Sequence, residues 1–166
     1  MIIKLIKKMI SGTVYVQLRE GRIKINHVEE KSVYDQRPFI AIDTSNPKKE
    51  IVHAIGNKAY DLRLNKDLDV SNPFSHPRVL ISSFVMAERV LMHGFREIHK
   101  NKFLSPSPIV IMHPMEKLEG GITDIECRVF RELAFGAGAR EVHIHVGDEL
   151  DTNLFNMDHV RSPGDN

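Results

Sequence analysis

Residues 123–146 read TDIECRVFRELAFGAGAREVHIHV, and the fold class turns on how this stretch is parsed. Ile125, Val129 and Leu133, with Phe130 and Ala134 beside them, recur at helical spacing and predict one apolar stripe. Thr123 followed three residues on by Glu126 has the pattern of a capping box, in which each side chain satisfies an orphan backbone N–H at the helix start. Gly136 and Gly138 predict the stop, because glycine tolerates the left-handed conformation that ends helices. Glu141 to Val146 then alternates as a strand does. A helix, a glycine turn and a strand make half of a layered α/β unit.

Upstream, residues 80–100 predict a longer helix. Leu80, Phe84, Ala87, Leu91, Phe95 and Ile98 form its apolar stripe, and Gly94 weakens it by roughly 1 kcal/mol. Ile109 to Met112 predicts a buried strand closed by Pro114. Further back, TVYVQL (13–18) and RIKINHV (22–28) alternate as two strands joined by a turn at Arg19-Glu20-Gly21. Phe39 to Asp43 is expected as the third strand of the same meander. Ile51 to Ile55 reads as a short strand, Asn57 to Leu62 as a short helix, and Asn65 to Pro77 as a loop.

Composition narrows the class. A chain of 166 residues suits one domain of roughly 100–200 residues, and 42% hydrophobic content can fill a core. A net charge of +1 offers no bulk attraction to nucleic acid. The lone Cys127 cannot make an internal disulfide and reads as a reduced thiol, which suits a cytoplasmic protein. No apolar run approaches the roughly 20 residues of a membrane-spanning helix.

RELAFGAGAREV (131–142), preceded by IECR (125–128), resembles the corresponding helix and strand of MreB, the bacterial actin-like protein of rod shape. The resemblance continues through SSFVMAERVLMHGFREIHKNKFLSPSPIVIMHP (82–114) and, more faintly, RPFIAI (37–42) and AIGNKAYDL (54–62). It implies an α/β subdomain of the ribonuclease-H-like, actin-like ATPase class. The expected core is a mixed five-stranded sheet: a three-strand meander, two added parallel strands and two long helices. Expected boundaries are an amphipathic segment at 1–10, the subdomain at 11–148 and a loosely ordered tail at 149–166.

The resemblance places the family's first phosphate loop, Asp-Leu-Gly-Thr, at Gln17, Leu18, Arg19 and Glu20. Gln17 has no charge to offer a magnesium shell, which favours charged oxygens and water. Arg19 carries a side chain where close backbone approach is needed. Glu20 repels phosphate. Glu126 matches the glutamate that positions the hydrolytic water in MreB, but its capping-box role explains it without phosphate. The chain also stops short of the family's second phosphate loop. The expectation is therefore that ATP binding and ATPase activity are lost, and no cofactor is expected.

Two stretches suggest attachment to a membrane. In MIIKLIKKMI (1–10), Ile2, Leu5, Ile6 and Met9 share one helical face while Lys4, Lys7 and Lys8 share the other. That suits a helix lying in the interface with its lysines at anionic headgroups; a fraying leader or a packed strand is the alternative. Phe103 and Leu104 lie between Lys102 and SPSP, where the resemblance implies a membrane-inserting loop. Folding of Phe103 back into the core is the alternative there. Two modest anchors would reinforce each other through effective concentration.

His143 and His145 alternate on one face of the last strand, and His113 ends its neighbour. Three imidazoles near Asp148 or Glu149 would suit zinc, although any His-x-His strand offers that spacing. Taken together, the sequence points to a non-catalytic MreB-like protein acting by protein contact, at the inner face of the cytoplasmic membrane. Its expected partners are a second copy of itself or an MreB-type filament. The alternatives are a residual ATP-binding protein and a small metal-binding domain.

Overall fold

The structure is a computed structural model that describes residue 2 and residues 12–46, 48–100, 107–160, 162 and 163. Its core is a five-stranded sheet whose strands lie in the order Val33–Gln36, Arg22–His27, Thr13–Arg19, Ile109–Pro114, Glu141–Ile144. β1 (Thr13–Arg19), β2 (Arg22–His27) and β3 (Val33–Gln36) form an antiparallel meander. β7 (Ile109–Pro114) and β8 (Glu141–Ile144) add to it in parallel. β1 is central, and its residues Thr13 to Leu18 are all buried, as befits a strand covered on both faces.

One face of this sheet carries Val14, Val16, Leu18, Ile23, Ile25, Val110, Met112 and Ile144 into the main core. Two helices cover it. α2 (Phe84–Ile98) buries Ala87, Val90, Leu91, Gly94, Phe95 and Ile98, and α3 (Asp124–Gly136) buries Cys127, Phe130, Leu133 and Ala134. Gly94 has a packing reason: a Cβ there would fall on Ile25 Cδ1 and lie 3.2 Å from Tyr34 Cδ1, so its absence lets α2 seat on β2 and β3. The capping box forms as expected. Glu126 N–H donates to Thr123 Oγ1 (3.2 Å), and Thr123 N–H donates back to Glu126 Oε2 (2.9 Å). Gly138, at φ 111°, turns the chain out of α3.

A second sheet, β5-β4-β6, joins β4 (Ile40–Asp43), β5 (Ile51–Ile55) and β6 (Leu68–Ser71), with the short helix α1 (Asn57–Asp61) after β5. Here the structure corrects the reading of the chain. The third meander strand is Val33–Gln36, and Ile40–Asp43 belongs to the other sheet. Pro38, which has no N–H to give a ladder, sits where the chain passes between them. Leu68–Ser71 is a strand inside the expected loop 65–77.

The stripe on α3 is also shifted. Ile125 is 77% exposed and Val129 only half-buried, while Cys127 takes the inner face. A row of residues four apart drifts by about 40° per step around a helix of 3.6 residues per turn, so Ile125 has rotated off the face that Leu133 occupies. Phe84 opens α2 and remains 39% exposed.

Candidate functional site at the hairpin tip

The β1–β2 hairpin is tight. Arg19 pairs with Arg22, so only Glu20 and Gly21 make the turn. Side chains from distant segments fasten this tip. Glu20 N–H donates to Glu116 Oε2 (2.7 Å), and the Glu20 carbonyl accepts from Asn72 Nδ2 (2.7 Å). The Glu20 carboxylate accepts from Ser75 Oγ (2.9 Å) and pairs with Lys117 Nζ (2.8 Å), which also donates to the His76 carbonyl. Hydrogen bonds from Lys117 and Ser75, with the Lys117 charge, hold the Glu20 carboxyl below the usual carboxylate range.

Gln17 lies behind the tip, almost fully buried, in register with His113 of β7. Its Nε2 donates to Met115 Sδ (3.5 Å), and its Oε1 has no hydrogen-bond partner among the described residues. Where the family resemblance calls for a carboxylate, a free backbone amide and a glycine, the chain has a neutral amide, an amide bonded by Glu116 and an arginine. The residues present do not match a magnesium–triphosphate cradle, whose anion needs donors free to turn toward it.

A second network closes the adjoining ends of β1 and β7. His113 Nε2 bonds the Gly147 carbonyl (3.1 Å), so that nitrogen carries the proton and Nδ1 must accept. The Tyr15 hydroxyl, 2.6 Å from Nδ1, donates to it and accepts from Leu150 N–H (3.2 Å). Burial, and next the charge of neighbouring His145, push His113 down to about 4. Burial also pushes Tyr15 up. Together these bonds pin residues 147–150 over the strand ends.

The histidines do not assemble as a metal site needs. His113 and His145 meet edge to face with ring centroids 4.6 Å apart, but His145 Nε2 bonds the Asp148 carbonyl (2.8 Å). His143 turns to Glu141 (2.8 Å). No group of three metal-ligating side chains occurs among the described residues. The Glu126 carboxylate is committed to Thr123. Of the expected membrane residues, Ile2 is 73% exposed. Lys4, Leu5, Ile6, Lys7, Lys8, Met9, Phe103 and Leu104 lie outside the described residues. Asn72, Ser75, Glu116 and Lys117 were not anticipated: they lie 52 to 97 positions from the turn they fasten, and no local motif marks them.

A meander extended by parallel strands, with two helices over one face and a small second sheet, defines an actin-like α/β domain. The similar solved structures agree. The ADP-bound MreB5 of Spiroplasma citri superposes with a TM-score of 0.64 at 20% identity, over 82% of this chain and 38% of that one. A double-helical MamK filament superposes at 0.56 with 11% identity, over 81% of this chain and 41% of that one. The MreB/Mbl protein family model matches residues 13–150, and the chain belongs to that family. The cell shape-determining protein MreB of Haemophilus influenzae is 28% identical over 148 residues, 87% of this chain. The chain spans about 40% of the length of that relative.

Proposed function

We propose that this chain is a non-catalytic member of the MreB/Mbl family that contributes to bacterial cell-shape organisation through protein contacts, held at the inner face of the cytoplasmic membrane. The observation that carries the non-catalytic part is the Glu20 amide, already bonded by the Glu116 carboxylate at 2.7 Å in a two-residue turn. A phosphate arriving there would have to displace one anion while facing a second, Glu20 itself. Without triphosphate chemistry, surfaces would be the means of action, and likeness to MamK, solved as a double-helical filament, supports self-association or binding to an MreB-type filament.

The membrane part rests on the two-faced segment 1–10 and on Phe103-Leu104. No helix among the described residues is long and apolar enough to cross a membrane, so attachment would be peripheral. Co-sedimentation with vesicles containing anionic lipid tests it, comparing the full chain with Leu5→Glu/Ile6→Glu and with Phe103→Ser/Leu104→Ser. Reduced pelleting of both variants supports two anchors, and equal pelleting of all three proteins removes the membrane assignment. Phosphate release from Mg-ATP by the purified chain tests the other half; the expected rate is that of buffer alone.

A further inference from the structure

β3 and β5 are both edge strands, one of each sheet, and they face each other across a groove of about 680 Å³. Its lining includes Tyr34 and Asp35 of β3, Ala54 and Ile55 of β5, Lys58 of α1 and His93 of α2. The ladder pattern shows which backbone groups of β3 look into it. His27 N–H donates to the Ser32 carbonyl, so alternation in an antiparallel pair puts Tyr34 and Gln36 in the bonded positions with Ile25 and Ile23. The N–H and C=O groups of Val33 and Asp35 therefore point away from β2. They have no partner among the described residues. The next outward amide, that of Arg37, is taken by Asn57 Oδ1 (3.0 Å), while Asn57 N–H donates to Gln36 Oε1 (3.0 Å). This clasp closes one end of the groove.

Beneath the groove the Tyr34 hydroxyl is sealed from solvent. Tyr34 is 93% buried, being 7% exposed, and its hydroxyl has no hydrogen-bond partner among the described residues. Burial, with the nearby Glu97 charge, pushes it up to about 12, so it remains a proton donor at any physiological pH. The rim is mixed: Val33 is exposed on β3 beside Asp35 and Gln36, and His53, Ala54 and Ile55 of β5 line the opposite side. Lys58 contributes a cation with no ion-pair partner among the described residues.

From this we infer that the groove binds an extended peptide segment of a partner protein, which adds as a strand to the free edge of β3. Backbone donors and acceptors in a row are met by another backbone. A segment paired along the four residues of β3 spans roughly 14 Å. The preferred segment carries a β-branched apolar residue beside Val33 and an acidic side chain opposite Lys58. This inference rests on the reading of the chain as a protein-contact module and names the kind of contact.

The probe is a random heptapeptide display library selected on the immobilised full chain, with enriched sequences synthesised and titrated by fluorescence anisotropy. Expected are extended apolar-acidic sequences whose affinity falls at least tenfold for Val33→Pro. Proline at position 33 removes only an outward N–H, which an edge strand tolerates. Lys58→Glu is expected to weaken acidic sequences selectively. Independently of any variant, bound peptide is expected to slow amide exchange of Val33 and Asp35 at least tenfold in the unmodified chain. No enrichment, undiminished binding to Val33→Pro, or protection elsewhere would overturn the inference. A negative library result alongside intact vesicle pelleting removes the groove and leaves the membrane assignment standing.

Discussion

Acid should weaken this protein through His113. In the fold its ring is buried, holds its proton on Nε2 against the Gly147 carbonyl, and accepts from Tyr15 at Nδ1. The charged or protic groups facing it are Tyr15, His145, Arg19 and Glu149. Its folded pKa of about 4 lies below the ordinary 6.5 that it regains on unfolding. The unfolded chain therefore binds the extra proton first. The stability contributed by the neutral ring is fully present above 6.5 and is lost as pH falls toward about 4. The full shift corresponds to about 3 kcal/mol, of which about 2 kcal/mol is gone by pH 5. Urea unfolding at pH 7, 6 and 5 measures this directly. His113→Gln cannot titrate, so subtracting its curve removes the contributions of histidines shared by both proteins. The stability gap between the two proteins should narrow by about 2 kcal/mol between pH 7 and pH 5. A constant gap would refute the placement of a neutral, buried His113 in this network.

Three further outcomes follow from particular contacts. Gly94→Ala should destabilise by about 1 kcal/mol in urea unfolding, because overpacking against Ile25 and Tyr34 costs more than the helix propensity gained; a stabilised variant would contradict that seating of α2. Thr123→Ala breaks the capping box and should cost about 1 kcal/mol by the same assay, with no change expected if the cap is idle. Lys117→Met should move the Glu20 carboxyl titration upward toward the ordinary carboxylate value in an NMR pH series, since Lys117 is the main cause of its depression. An unmoved titration would mean that the tip is not fastened as described.

The legible parts of the fold were those encoded locally. Thr123 and Glu126 declared a helix start within four residues, and the Val14–Val16–Leu18 alternation declared a strand. Phe39–Asp43 was misplaced because sheet membership is decided by pairing partners far along the chain. An apolar strand after a proline looks the same whichever sheet receives it. Val33–Gln36 (VYDQ) shows no alternation, and Leu68–Ser71 (LDVS) alternates over only four positions, both amid turn-forming neighbours. At the hairpin tip, the neutral amide at position 17 and the charged side chains at 19 and 20 are plain from the sequence. That Glu116 and Lys117 fasten the tip is not, because their nearness to Glu20 exists only once β7 has paired with β1. The imidazoles show the converse: His113 and His145 do meet, as the strand pairing implied, yet backbone carbonyls take the ring nitrogens that a metal would need.

The most direct measurement is calorimetric titration of the purified full chain with Mg-ATP to millimolar concentration. With Glu116 already bonded to the Glu20 amide and Gln17 in place of a carboxylate, only heats of dilution are expected. A saturable heat that is lost in Gln17→Leu would contradict the account.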